Sequence, residues 1–131
     1  MIVDTSVWID YFAGRAGWQV ERIDQELSAE RPVGITDVIY AEVLQGIKRD
    51  QDLWITERRL LALEIVELDG LADFRNAAEL YRTVRRAGHT IRRTSDCLIA
   101  SVCIRVGRPL LHRDVDFERI ADVSELLTVK E

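Results

Sequence analysis

The chain has 131 residues, of which 47% are hydrophobic and 31% are charged, and its formal net charge is −5. This length predicts one domain, residues 1–131, and the composition is that of a soluble globular protein. No apolar run approaches the ~18 residues of a membrane-spanning helix, and the N-terminus lacks the charged start of a signal peptide. We therefore expect a cytoplasmic protein that does not bind membranes.

Strand and helix signals alternate from the N-terminus onward. A strand over residues 1–3 precedes a helix over 5–13, whose apolar spacing directs toward the core Val7, Trp8, Tyr11 and Phe12. After these, the sequence predicts a helix at about 18–29, a strand in RPVGIT, a helix in DVIYAEVLQGIKRD with Thr36 or Asp37 as its cap, and a helix over 52–64.

The second half continues the same alternation. EIVEL predicts a strand, and the helix over 71–87 stops at Gly88. SDCLIASVCIRVG is apolar nearly all round, which predicts a buried helix. RPLLH predicts a fourth strand, DVDFERIADV a loop with a short helix, and LLTVK a last strand. The whole pattern predicts an α/β fold in which helices flank a central, mainly parallel sheet.

The two cysteines are predicted to be free and buried. Cys97 and Cys103 lie six residues apart on different faces of one predicted helix, so they cannot form a disulfide with each other. No Cys/His cluster has the spacing of a zinc site. His89 and His112 are better explained as a loop residue and a strand-end residue.

Acidic residues occur where predicted strands end. Asp4 follows the first strand, and Asp114 and Asp116 follow the fourth, so parallel pairing would bring them to one edge of the sheet. Asp96 lies in the first turn of the apolar helix. Glu42 lies on or beside the apolar face of its helix, where an unpaired charge is costly. Taken singly, each acid is also explained as a helix cap, an edge residue or a loop residue.

Taken together, these five carboxylates can converge on one cleft. Carboxylates that pack together repel and raise one another's pKa unless a cation neutralises them. Mg²⁺ and Mn²⁺ prefer oxygen ligands, lower the pKa of bound water and stabilise charge that develops on a phosphate. The acids therefore indicate a divalent metal site with hydrolytic chemistry.

Four segments of the sequence resemble the successive motifs of the PIN domain: IVDTSVWIDYF, AEVLQG, TSDCLIAS and HRDVDF. The resemblance extends from Asp4 to Phe117 with the motifs in the family's order, and it is closest to the bacterial VapC-type toxins of type II toxin–antitoxin pairs. It implies an α/β/α sandwich and a metal-dependent endoribonuclease that hydrolyses phosphodiester bonds in RNA.

The resemblance also implies which residues form the site. The catalytic and metal-binding acids are Asp4, Glu42, Asp96 and Asp114, with Asp116 as a fifth, more variable acid. They are expected to hold one or two Mg²⁺ or Mn²⁺ ions. The implied partners are RNA, a small VapB-like antitoxin that covers the cleft, and a second copy of the toxin, so that homodimers and toxin–antitoxin hetero-oligomers are expected.

Hydroxyl groups are expected beside these acids. Ser6, and either Thr94 or Ser95, stand where the family often has hydroxyls that hydrogen-bond the carboxylates or water. His112 departs from the pattern, because many relatives carry Thr or Ser at that position. No hydroxyl contact is therefore expected from residue 112.

A net charge of −5 is unusual for an enzyme that binds nucleic acid. The distribution of charge resolves this, since residues 82–113 contain eight arginines and one acid, a local charge of +7. Arg92, Arg93 and Arg113 lie nearest the acidic motifs and are candidates for binding RNA phosphates. A solvated helix face is the simpler interpretation of Arg82, Arg85 and Arg86.

Two other functions compete with a nuclease. A PIN-like module that binds RNA or a protein without cleavage would share the fold, although all the acids are present here. A phosphoacceptor receiver domain has a similar length and an acidic metal pocket, but it needs a lysine near a strand end. Lys48 lies in a predicted helix and Lys130 in the tail, which disfavours that function.

Overall fold

The computed structural model describes residues 1–131, which form a four-stranded sheet and seven helices. In chain order the elements are β1 (Ile2–Val3), α1 (Thr5–Phe12), α2 (Trp18–Ser28), β2 (Gly34–Thr36), α3 (Asp37–Gln45), α4 (Asp50–Leu61), β3 (Glu64–Val66), α5 (Gly70–Arg86), α6 (Thr94–Val106), β4 (Leu110–Leu111) and α7 (Val115–Asp122). None of these helices combines the length and the apolar character that crossing a membrane requires.

The sheet is parallel throughout, with the strand order β3-β2-β1-β4. Ile2 in β1 is in register with Gly34 in β2 and with Leu110 in β4. The chain proceeds outward from β1 to β2 and β3 and then crosses back to β4, so the strand order reverses between β1 and β4. In open α/β sheets such a reversal creates a crevice at the carboxyl ends of the strands, where ligands bind. The predicted α/β class with a parallel sheet is confirmed.

Helices cover the sheet and bury its apolar side chains. α1 packs against α2 and α3, and α5 packs against α6. Val7 and Trp8 are buried, and the Trp8 Nε1–H donates to the carbonyl of Val3 at 3.0 Å. α6 is buried over most of its circumference, as predicted, and both Cys97 and Cys103 are buried free thiols.

Helix boundaries follow local capping. The Thr36 hydroxyl accepts the Ile39 N–H at 3.0 Å and so begins α3, as one of the two predicted caps. α3 ends at Gln45 instead of continuing through residue 50, because Gly46 favours helix poorly and serves as its C-cap. α6 ends at Gly107, which adopts a left-handed conformation with φ of 68°.

The predicted last strand in LLTVK is wrong. Thr128 forms an isolated parallel bridge with Leu110, and the only ladder hydrogen bonds of this segment join Leu127 and Val129 to that same residue. β4 has two residues, so it offers too short an edge to pair a full strand. The C-terminal segment is instead held by buried Leu126.

Candidate active site

Two of the predicted acids lie at the crevice between β1 and β4. Asp4 directly follows β1, and its backbone N–H donates to the Leu111 carbonyl at 2.9 Å. Asp4 is the N-cap of α1, and Asp114 is the N-cap of α7, where its Oδ1 accepts the Asp116 N–H at 3.0 Å. Capping and a site role are therefore compatible, because a cap residue stands where strand gives way to helix.

Two further acids reach the same cleft from helices. Asp96 projects from the first turn of α6, and Glu42 projects from α3. Both line a cleft of about 130 Å³ together with Asp4 and Asp114. The other residues that line it are Thr5, Ser6, Ile9 and Arg93. The structure thus brings four of the five predicted acids together around one small cavity.

Hydroxyl groups fix two of these carboxylates. The Ser6 hydroxyl donates to Asp4 Oδ2 at 2.6 Å, and the Ser6 backbone N–H donates to the same oxygen at 2.9 Å. Glu42 accepts from the Ser95 hydroxyl at 3.2 Å and from the Thr5 hydroxyl at 3.0 Å. Thr94 is exposed and contacts no carboxylate, so Ser95 fills the position that the sequence left open between them.

The electrostatics of the cleft favour a bound cation. Burial, and then the charges of Asp4, Asp114 and Glu42, raise the pKa of Asp96 to about 7. Burial raises the pKa of Asp4 to about 6, although hydrogen bonds from Ser6 oppose the change. One buried oxygen, Asp96 Oδ2, has no hydrogen-bond partner. A desolvated carboxylate oxygen among like charges is a suitable ligand for Mg²⁺ or Mn²⁺, so the residues present fit the metal that the sequence predicts.

Asp116 differs from the other acids. It is fully buried, and one of its oxygens lies within 4.8 Å of oxygens of Asp96 and Asp114, close enough to share an ion with them. Both Asp116 oxygens are nevertheless occupied. Oδ2 accepts from the Arg92 backbone and Nε at 3.2 and 3.1 Å, and Oδ1 accepts from Arg119 at 3.2 Å. It does not line the cleft, and its visible role is to attach the Arg92 segment to α7.

The three arginines expected to bind phosphate have different surroundings. Arg92 bridges Asp116 and Asp114, the latter at 2.9 Å. Arg113 pairs with buried Asp10, which also binds Arg15. Arg93 lines the cleft and forms no ion pair. Of these three, Arg93 alone presents a free guanidinium to the cleft.

His112 and its partners were missed by the sequence reasoning. Its Nδ1 accepts the Asp114 backbone N–H at 3.1 Å, while Nε2 faces Glu118 at 2.9 Å, and Glu118 also binds Lys130. Burial lowers the pKa of His112, which favours the neutral ring that this acceptor role needs. The signal available in the sequence was the two-residue spacing from 112 to 114, at which a Ser or Thr hydroxyl accepts the same N–H.

Comparison with known proteins gives concordant results. The family model of the PIN domain matches residues 1–123. The VapC ribonuclease of Mycobacterium bovis and ribonuclease VapC11 of Mycobacterium tuberculosis are each 37% identical over 127 residues, which cover 96% of this chain and 95% of theirs.

A solved structure is similar in fold over nearly the whole chain. In the complex VapBC2 from Rickettsia felis, bound to a DNA fragment from its promoter, one chain superposes with a TM-score of 0.77 at 19% identity. The superposition covers 98% of this chain and 96% of the other. At this identity the similarity bears on the fold.

Proposed function

The chain belongs to the PIN-domain family, in its VapC-type branch, and on that premise we propose that it is the toxin of a toxin–antitoxin pair and a Mg²⁺- or Mn²⁺-dependent endoribonuclease. The observation that carries the proposal is the cleft in which four carboxylates meet around the unpartnered oxygen of Asp96. A site without function would leave this charge cluster as a net cost to folding.

The acids divide into two groups by their hydrogen bonds. Asp4, Asp96 and Asp114 would hold the ion, since they line the cleft and Asp96 Oδ2 has no protein donor. When bound, the ion supplies positive charge against the phosphate and lowers the pKa of the attacking water. Glu42, oriented by the hydroxyls of Thr5 and Ser95, presents a carboxylate that aligns this water for in-line attack.

The remaining charged residues act at the margin of the cleft. Arg93 offers a planar guanidinium to the scissile phosphate. Asp116 completes the acidic centre by holding Arg92 beside Asp114, where the guanidinium limits the negative charge of the empty site.

The cleavage assay separates this proposal from its alternative. The purified chain is incubated with end-labelled RNA in Mg²⁺, Mn²⁺ or EDTA, beside Asp96→Asn and a matched control, Asp24→Asn, which changes an exposed carboxylate on α2. We expect cleavage by wild type and control with either metal, and none in EDTA or by Asp96→Asn. RNA binding without cleavage in both metals would favour a non-catalytic PIN-like module.

A neighbouring groove supports an antitoxin partner. A hollow of about 260 Å³ adjoins the cleft and is lined mainly by apolar residues: Ile9, Phe12, Val43, Gly46 and Ile47, with Glu42 at its edge. An antitoxin helix with apolar side chains in this groove could place an Arg or Lys beside Glu42. The solved relatives are complexes of two components, VapB and VapC, which agrees with such a partner.

The antitoxin proposal is tested with the product of a short reading frame beside the gene. Its affinity is measured without metal for wild type and Glu42→Gln, and light scattering reports whether the toxin alone is a homodimer and the complex a hetero-oligomer. We expect tight, silencing binding that Glu42→Gln weakens. Equal affinities would remove Glu42 from the contact, and absence of binding would refute that partner.

A further inference from the structure

The basic residues of the segment from 82 to 113 fall into two classes. Four arginines in it pair with carboxylates, namely Arg92, Arg105, Arg108 and Arg113. The other four form no ion pair and are exposed. We call these the arginine strip: Arg82, Arg85, Arg86 and Arg93. Pairing has neutralised half of the local positive charge and left the other half free.

The arginine strip leads along α5 to the cleft. Arg82 and Thr94 line one hollow between α5 and α6, so Arg82 lies beside the start of α6. Arg85 and Arg86 follow Arg82 by three and four residues, which places them on the same helix face one turn further on. Arg93 precedes Thr94 and lines the cleft itself. No acid occurs between Glu79 and Asp96 to interrupt this charge.

We propose that the arginine strip binds the phosphates of single-stranded RNA next to the bond that is cut, and directs that strand into the cleft. The inference rests on the proposed function, because it assumes that the scissile phosphate lies at the acids. A single row of free guanidiniums at the opening of a 130 Å³ cleft suits one strand, whereas a duplex needs cations along two strands. It also explains how a chain of net charge −5 can attract a polyanion.

Helix stabilisation is the competing explanation for part of the strip. Arg85 and Arg86 lie in the last turn of α5, where positive charge favours the helix dipole. That explanation covers neither Arg82, one turn earlier, nor Arg93, outside the helix. It predicts a loss of thermal stability on substitution and no change in how salt affects RNA binding.

The test measures the salt dependence of RNA binding. Fluorescence anisotropy with a labelled single-stranded oligoribonucleotide of mixed sequence, in EDTA, gives the affinity at several KCl concentrations. The variant Arg82→Gln/Arg85→Gln/Arg86→Gln is compared with the charge-matched control Arg49→Gln/Arg58→Gln/Arg75→Gln. The control arginines are exposed and lie on α4 or at the start of α5, over Trp54 or paired with Asp52 or Glu79.

The two variants are expected to differ in the slope of log affinity against log salt. Each lost phosphate contact on a single strand lowers its magnitude by about 0.7, so the strip variant should lose about 2 and bind roughly a hundredfold more weakly near 0.1 M salt. The control should keep the wild-type slope. Equal slopes in both variants, or no RNA binding by wild type in EDTA, would overturn the strip. Salt-dependent binding by wild type without metal-dependent cleavage would refute the nuclease proposal and leave the strip standing.

Discussion

Replacing Asp96 by Asn should stabilise the metal-free protein while removing its activity. Asp96 is buried, one of its oxygens lacks a partner, and three other carboxylates line the same cleft. The substitution removes a charge at nearly constant shape. The folded protein therefore loses a repulsion that only a bound cation would relieve.

The magnitude follows from the pKa of Asp96. The folded protein raises that pKa from 3.8 to about 7, and each unit corresponds to about 1.4 kcal/mol, so ionising this carboxyl at pH 8 costs the folded state about 4 kcal/mol. The asparagine N–H groups need acceptors in the cleft, which returns about 2 kcal/mol of that gain. A net stabilisation of about 2 kcal/mol corresponds to roughly 6–10 °C in Tm for a domain of this size.

The dependence on pH identifies the cause. Asp96 has a higher pKa in the folded than in the unfolded state, so the folded state binds the extra proton and wild type gains stability as the pH falls from about 7 toward 4. Asp96→Asn lacks this gain, and its advantage should disappear near pH 5. Thermal melts in EDTA at pH 5 to 8 test this, with exposed Asp24→Asn as control. An Asn variant no more stable than wild type at pH 8, or one whose advantage persists at pH 5, would refute the reasoning.

Three further outcomes are expected. Mn²⁺ at a hundredfold its Kd should stabilise wild type by about 2.7 kcal/mol in thermal melts, an effect absent in Asp96→Asn. His112→Ala should weaken Mn²⁺ binding measured by calorimetry, whereas His112→Ser restores an acceptor for the Asp114 N–H and should recover it. Asp73→Ala should lower the free energy of unfolding by about 3 kcal/mol in urea, because fully buried Asp73 accepts from Ser101 and Arg105. Arg75→Ala, at an exposed position on the same helix, should change it by less than about 0.5 kcal/mol.

The convergence of the acids could be predicted because it depends on local signals and on strand direction. Asp4 and Asp114 each follow a short apolar strand, and parallel pairing then places both at one edge. Asp96 begins a helix whose other residues are apolar, so its carboxylate must reach the surface at the helix start. Each step uses neighbours within a few residues, for which sequence patterns are informative.

The ion pairs could not be predicted because they join residues that are distant in the sequence. Arg113 meets Asp10 across 103 positions, and Arg105 meets Asp73 across 32. The choice between a free and a paired arginine depends on side-chain packing that the spacing of charges does not encode. As a result, the sequence favoured Arg92 and Arg113 as phosphate ligands, although both are bound to carboxylates in the structure.

Asp116 shows how burial changes the meaning of a motif residue. Its position in HRDVDF suggests a metal ligand, and its distance to Asp96 and Asp114 permits one. Yet Arg92 and Arg119 both contact its oxygens, and these contacts lower its pKa, although burial alone would raise it. Asp96, equally close to the cluster but without a cationic partner of this kind, has its pKa raised. The two acids therefore have opposite electrostatic needs, and a cation in the cleft stabilises the site mainly through Asp96.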